Sequence, residues 1–297
     1  MYNKYLGYIA NIICLNYQHI PCTGLIRGHL GAVIFLYHYA KYSGIIEYEK
    51  KADGLLDYVL TNIAPNANKA FSYGIYGIGW CLKYLAQKGF IEIDQETLSD
   101  YDLVASYGWS RFETEEDLLS EIPLFSKGIY CSDAVDETII RNTSEVLKET
   151  IDKYTINKLS YLNSCLYFLA KCKDGNRIGK EQEEILSRIM AIVNECLSTP
   201  DYSAQDLFIL KMLAQKMDMD INIPEFNVEY LRDIFLNWQT IVYEDVIHIR
   251  NIICLSDMGK YIEDNIETTF DNNLSLTGLS ALGINVIRCL ENDNITN

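Results

Sequence analysis

The chain has little positive charge. Its 297 residues include 25 Lys and Arg against 41 Asp and Glu, which gives a formal net charge of −16 at pH 7. A protein that binds a nucleic-acid duplex needs a basic surface to displace counterions, and no cluster of Lys and Arg here can form one. The same shortage argues against binding to an anionic membrane surface. We therefore expect no nucleic-acid partner.

Long hydrophobic runs are also lacking. Residues 9–15 are apolar but only about half as long as a secretory core segment, and no stretch is long enough to cross a bilayer. The nine cysteines are odd in number and show no regular pairing pattern, which favours a reducing compartment. We expect a cytoplasmic protein with no signal peptide and no membrane insertion.

Proline is scarce as well, with five in the chain, and four of them fall in predicted connections. Apolar residues recur at spacings of three and four, which is typical of amphipathic helices, and few windows alternate with the period of a strand. The sequence is therefore predicted to be all-α. The predicted helices cover residues 25–42, 52–62, 75–87, 137–154, 159–172, 181–197, 204–217, 228–238 and 276–290.

A glycine pattern recurs at the start of several predicted helices. Gly28 and Gly74 open two helices 46 residues apart, Gly278 opens a similar one near the end, and a worn copy ends at Gly128. A period of ~40–50 residues with two helices in each unit indicates stacked helical hairpins. Small residues at such starts let helices approach closely or leave N–H groups open to a ligand. The well-kept first and last copies favour a closed ring over an open solenoid.

Three segments carry a resemblance to a known family. They read TGLIRGHLGAVIFLY at 23–37, FSYGIYGIGWCLKYL at 71–85 and SLTGLSALGI at 275–284. These segments resemble the first, second and last inner helices of the LanC-like (lanthionine synthetase C-like) family. The resemblance implies a single domain over 1–297, an α/α toroid of about seven inner and seven outer helices. It also implies a bacterial protein encoded with genes for a modified peptide.

The motifs that hold the zinc of that family are missing. In the family, zinc is bound by a Cys of a Trp-Cys-x-Gly motif and by an adjacent Cys-His pair, and it activates a peptide thiol. Trp80-Cys81 lies too early in the chain and has no glycine at the required place. Where Trp-Cys-x-Gly is expected the chain reads DYSAQD at 201–206, and His248 and Cys254 are not adjacent. Where the family has an Ala-His-Gly motif, whose His serves in proton transfer, the chain reads YLNSC at 161–165. The resemblance thus implies a scaffold without zinc chemistry, and we expect no cofactor.

Several side chains are candidates for a cavity or ligand site. His29, at a helix start, is either a ligand-binding base or a locally hydrogen-bonded histidine, and Arg27 beside it suits a carboxylate or phosphate. His38, Cys165 and Cys172 are expected to be packed helix residues, although a zinc site of His248, Cys254 and Cys165 is an alternative. The full set of cavity candidates is Arg27, His29, Tyr73, Tyr76, Trp80, Cys131, Asp133, Asn163 and Thr277.

Residues 107–122 are predicted to form an irregular loop. Its Trp109 and Phe112 precede an acidic run that begins at Glu113. The two aromatic side chains either contact a partner or simply anchor a solvated loop. The 22 tyrosines of the chain similarly suggest a semi-polar internal surface or reflect composition drift.

Three functions are compatible with this sequence. The first is a zinc-free, non-catalytic LanC-like protein that binds a ribosomally made peptide or the enzyme that modifies it. The second is an enzyme of another class on an α/α toroid, such as a glycosidase, which needs two carboxylates in its cavity, or a lyase. The third is a thioether cyclase with atypical zinc ligands.

Overall fold

A computed structural model describes residues 2–63, 71–94, 159–174, 177–199, 202–225, 234–245 and 273–294, together with single positions at 96–97 and within 140–151. Every regular element in these ranges is helical, which confirms the prediction of an all-α chain. None of these helices combines the length and the hydropathy that crossing a membrane requires. The chain divides into two compact units.

The first unit is made of Met1–Asn68, Ser72–Asp94 and Val228–Asn297. Its described helices are α1 (Tyr2–Asn16), α2 (His29–Ser43), α3 (Ile46–Thr61), α4 (Ile75–Gln87), α8 (Gln239–Val242) and α9 (Leu279–Asn294). Helix α2 is its centre: it packs against α3, α9, α1 and α4, and its residues from His29 to Ala40 are all buried.

The two helices opened by Gly28 and Gly74 begin alike. Gly28 has φ −121° and ψ −169°, and Gly74 has φ −119° and ψ −165°, so both N-caps share one extended geometry. Left-handed glycines follow both helices, Gly44 at φ 72° and Gly89 at φ 69°. Such a conformation ends a helix without the steric cost that a side chain would add. This is the geometry expected of two copies of one structural unit.

The first and last glycine-opened helices are in direct contact. A Cβ on Gly31 would lie 2.8 Å from both Cγ and the main-chain nitrogen of Leu276, and a Cβ on Gly283 would overlap the ring of Phe35. Both glycines are therefore needed for the close approach of α2 and α9.

The second unit is made of Lys69–Phe71 and Gln95–Asn227. Its long helices are α5 (Leu159–Asp174), α6 (Lys180–Ser198) and α7 (Ala204–Met217), and α5 packs against the other two. The Ser203 side chain caps α7 by accepting a hydrogen bond from the main chain of Asp206. Cys165 and Cys172 are buried on α5, as predicted.

Several predicted helices agree with the structure, but the predicted helix 52–62 begins six residues after the observed start of α3 at Ile46. The predicted bounds 75–87 and 204–217 are those observed. Helix α2 starts at His29 rather than at residue 25, because the preceding segment folds back over its first turn. Helix α1 was not predicted, although Leu6, Ile9 and Ile13 form a buried helical face. Residues 107–122 lie outside the described ranges, and so do most of 137–154 and 228–238.

Candidate functional site

Main-chain hydrogen bonds join the segments that precede the three glycine-opened helices. The Ile26 N–H donates to the Ser72 carbonyl at 2.9 Å, and the Leu276 N–H donates to the Ile26 carbonyl at 3.0 Å. All three residues stand two positions before an opening glycine, so equivalent positions are bonded to each other. The second, first and last copies of the repeat therefore lie side by side in that order.

The residues directly before the three glycines are Arg27, Tyr73 and Thr277, and we call them the N-terminal rim. Arg27 is exposed, Tyr73 is 41% exposed and Thr277 is half-buried. The Asn273 side-chain amide donates to the Thr277 hydroxyl at 2.5 Å, which fixes the hydroxyl at this edge. The rim thus combines a cation, an aromatic ring with a polar tip and a hydroxyl, all three of which were candidates from sequence.

A glycine allows close packing at the rim. A Cβ on Gly24 would overlap Cα of Tyr73, so this glycine is needed where the first two copies meet. The N–H groups of His29 and Leu30, the first two residues of α2, are occupied, because they donate to the Cys22 and Gly24 carbonyls respectively. These two groups are not open to a ligand.

His29 faces a cavity of about 590 Å³ between the start of α2, the turn after α1 and helix α3, which we call the His29 pocket. Its ring is 5.4 Å from the Tyr58 ring and 6.4 Å from the Tyr17 ring, between centroids. The Lys51 ammonium lies 4.0 Å from the centre of the Tyr17 ring, within the range of a cation–π contact. The side chain of His29 is nearly buried.

A hydrogen bond orients the His29 ring. Its Nδ1 lies 2.7 Å from the Cys22 carbonyl oxygen, and a carbonyl can only accept, so Nδ1 carries a proton. This is the locally hydrogen-bonded histidine that was one of the two expectations for this residue.

The other predicted site residues are dispersed. Tyr76 and Trp80 are buried in α4, where the Trp80 ring stacks on the Tyr84 ring at 5.0 Å. Asn163 is buried in α5 of the second unit, and its amide donates to the Asp206 carbonyl at 3.0 Å. Its Oδ1 accepts no hydrogen bond from the residues described. Cys131 and Asp133 lie outside the described residues.

A second polar cavity, of about 500 Å³, lies at the C-terminal ends of the glycine-opened helices. Two of its lining residues, His38 and Arg288, stand ten positions after an opening glycine. Tyr84, the hydrogen-bond partner of His38, stands at the same position of the second copy. His38 Nε2 and the Tyr84 hydroxyl are 2.8 Å apart. We call this the exit cavity. The exit cavity lies at the opposite end of these helices from the rim, about 15–20 Å away along the helix axes.

Glu244 joins two of the cations of the exit cavity. Its carboxylate accepts from the Lys88 ammonium at 2.6 Å and lies 3.6 Å from the Arg288 guanidinium. Arg288 also donates to the Thr240 carbonyl at 2.7 Å. These bonds tie α8 and the residue Glu244 after it to the end of α4 and to α9.

Burial keeps His38 and Tyr84 uncharged. Desolvation, with the nearby Arg288, Lys88 and Lys41 cations, lowers the pKa of His38 from 6.5 to about 3. Burial raises the pKa of the Tyr84 phenol well above its ordinary value, and the Glu244 carboxylate adds to this effect. The prediction that His38 is a packed helix residue is confirmed, since it is 7% exposed.

The exit cavity was missed from sequence, although the signal was present. The spacing of 46 residues that aligns Gly28 with Gly74 also aligns His38 with Tyr84, and aligning Gly278 adds Arg288. Equivalent positions on neighbouring helices of a repeat face the same side. Lys88, Glu244 and the ion pairs between them follow no repeat and had no such signal.

No group of three or more His, Cys, Asp or Glu side chains that could hold a metal ion occurs within the described ranges. His248 and Cys254, considered above as atypical zinc ligands, lie outside those ranges. No family model, no curated protein and no solved structure matches this chain.

Proposed function

We propose that this protein is a zinc-free, non-catalytic member of the LanC-like α/α toroids that binds a peptide at its N-terminal rim. The observation that carries the proposal is the hydrogen-bonded row Ser72, Ile26 and Leu276. The row presents Arg27, Tyr73 and Thr277 at one edge, from three equivalent positions of the repeat.

The neighbour order of the copies supports a toroid. In a ring, the last copy must lie beside the first, whereas in an open solenoid the two are the most distant. Here Leu276 bonds to Ile26, and Gly283 packs on Phe35. This contact is the one that closure of a ring requires.

The absence of zinc ligands from this scaffold has a local counterpart in the second unit. The segments 161–165 and 201–206, which stand where the resemblance would place the proton-transferring His and one zinc-binding Cys, touch through the bond from Asn163 to Asp206. An amide side chain and a main-chain carbonyl meet there, rather than an imidazole and a thiolate. This contact supports a scaffold that keeps the arrangement of the family without its metal.

The chemistry of the rim suits a peptide. A guanidinium binds a carboxylate with two parallel hydrogen bonds, and an exposed tyrosine offers both a ring face and a hydroxyl. We expect the peptide to place an acidic side chain or its C-terminal carboxylate at Arg27 and an apolar side chain on Tyr73.

A random-sequence peptide library displayed on phage, selected on the purified protein, tests the proposal. Enriched peptides are then measured by fluorescence anisotropy against the wild type and Arg27→Gln. We expect Arg27→Gln to weaken binding at least about tenfold, the effect of one charge-assisted contact. Lys50→Gln, an exposed lysine of α3, is the control and should bind like the wild type. Failure to enrich any peptide, or equal binding by Arg27→Gln, would contradict the proposal.

Elemental analysis of the untagged protein tests the zinc-free part separately. We expect no stoichiometric zinc after exposure to zinc and dialysis. Zinc near one atom per chain would instead favour the cyclase with atypical ligands, and His248→Ala or Cys254→Ala should then lose the metal.

One observation favours the enzymatic alternative. The exit cavity is lined by three carboxylates, Glu244, Asp245 and Glu291, and a glycosidase uses two. Its histidine, however, is a weak base, because a general base works best with a pKa near the working pH and that of His38 is about 3. Turnover of a chromogenic glycoside that Glu291→Gln abolishes would establish this alternative over the binding function.

A further inference from the structure

We infer that the exit cavity is a binding site for a small zwitterion of the size of a free amino acid. This ligand carries one carboxylate and one ammonium, which the cavity receives at Lys41 and at Glu291. The inference concerns the pole of the helices opposite the rim and is independent of the peptide proposal.

Lys41 and Glu291 occupy equivalent positions of the repeat. Each stands thirteen residues after its opening glycine, one turn beyond His38 and Arg288 respectively. Helices α2 and α9 pack against each other, and both side chains line the same cavity. The repeat therefore brings one cation and one anion to a common edge.

Lys41 and Glu291 do not form an ion pair with each other. Neither Lys41 nor Glu291 forms an ion pair with any described residue, although they line one cavity and carry opposite charges. The Lys41 ammonium lies 5.4 Å from the centre of the Phe90 ring. An ammonium and a carboxylate that line one cavity without pairing are the complement of a zwitterion.

Three of the remaining charges of the cavity are already paired. Glu244 lies within ion-pair distance of both Lys88 and Arg288, and Asp245 also has an interaction of its own. A simple anion would therefore be attracted by Lys41 but repelled by Glu291. A simple cation would be attracted by Glu291 but repelled by Lys41. A zwitterion satisfies both groups.

The inner wall of the cavity is aromatic and uncharged. The Phe90 ring meets the His38 ring edge-on at 4.8 Å, and the pKa of His38 is lowered to about 3, so its imidazole is neutral at physiological pH. A neutral wall of this kind accepts the aliphatic or aromatic side chain of an amino acid. The cavity volume of about 500 Å³ is large enough to hold one amino acid. It also lies within the range of small-molecule binding sites.

The test begins with differential scanning fluorimetry of the full chain against each common L-amino acid at millimolar concentration. The amino acid that raises the melting temperature most is then measured by isothermal titration calorimetry, beside its amide and its N-acetyl derivative. We expect each derivative to bind at least about tenfold more weakly, because each lacks one charge-assisted contact.

Two variants assign the two contacts. Lys41→Gln lacks the group that binds the carboxylate, so it should bind the amide and the free amino acid with the same affinity. Glu291→Gln lacks the group that binds the ammonium, so it should bind the N-acetyl derivative and the free amino acid with the same affinity. Lys50→Gln should keep the full discrimination. Circular dichroism and the melting temperature check that each variant is folded.

The inference is overturned if no amino acid raises the melting temperature of the wild type. It is also overturned if the amide and the N-acetyl derivative bind as tightly as the free amino acid, or if the two variants keep the wild-type discrimination. None of these outcomes affects peptide binding at the rim, which is measured with Arg27→Gln.

Discussion

The close packing of the first and last copies of the repeat can be tested with a pair of glycine substitutions. Gly283 lies in α9, where an added Cβ would overlap the Phe35 ring, which is fully buried. Gly54 lies in α3, where an added Cβ meets no atom within 4 Å. Both changes to alanine gain the same helix propensity, about 1 kcal/mol in a helix interior.

The difference in the free energy of unfolding between the two variants measures the cost of the overlap with Phe35, because the helix-propensity gain is common to both. Adding a methyl to a well-packed core costs about 1–3 kcal/mol, so we expect Gly283→Ala to be less stable than Gly54→Ala by that amount. Gly54→Ala alone should be slightly more stable than the wild type. The assay is urea unfolding followed by circular dichroism, with the midpoint and slope compared among the three proteins. Equal stability of the two variants would refute the contact between α9 and Phe35.

Two further predictions concern the buried pair of the exit cavity. Because the pKa of His38 is lowered to about 3 in the folded protein, its contribution to stability is complete above its ordinary pKa of 6.5 and is lost as the pH falls, by about 1.4 kcal/mol per pH unit towards pH 3. Urea unfolding between pH 7 and pH 4 should therefore show a smaller acid loss for His38→Gln than for the wild type or the exposed control His19→Gln, and parallel losses would contradict the argument. Tyr84→Phe leaves His38 Nε2 buried without its partner and should lower the free energy of unfolding by about 1–3 kcal/mol. The matched control is Tyr48→Phe, because the Tyr48 hydroxyl bonds to Asn11 at the surface. This variant should change the free energy of unfolding by no more than about 0.5 kcal/mol. A similar effect of both substitutions would show that the buried hydrogen bond contributes nothing.

The sequence predicted the positions of most helices well, but it predicted only part of how the helices pack against each other. Helix α4 was predicted to its bounds because its apolar period and its flanking glycines agree. The pairing of the first and last copies followed from how well their glycines are kept, and the contact of Gly283 with Phe35 agrees with it. The toroid itself stays a prediction.

The candidate site was predicted at the level of residue types. Arg27, Tyr73 and Thr277 were chosen for their positions at helix starts, and the structure brings their segments together. The direction of His29 was not predictable, because its bond to the Cys22 carbonyl depends on how residues 22–28 fold over the helix start. The ion pairs of Glu244 join residues distant in sequence, and no periodic pattern indicates them.

Photo-crosslinking tests the central claim, that a peptide binds at the N-terminal rim, most directly. Tyr73 is replaced by p-benzoylphenylalanine, and Tyr58, an exposed tyrosine of the His29 pocket, is replaced in a matched control. Each protein is irradiated with a peptide enriched from the library, and the crosslinked product is mapped by mass spectrometry. We predict a crosslink from position 73 and none from position 58. A crosslink from position 58 alone would place the peptide in the His29 pocket and would contradict the account.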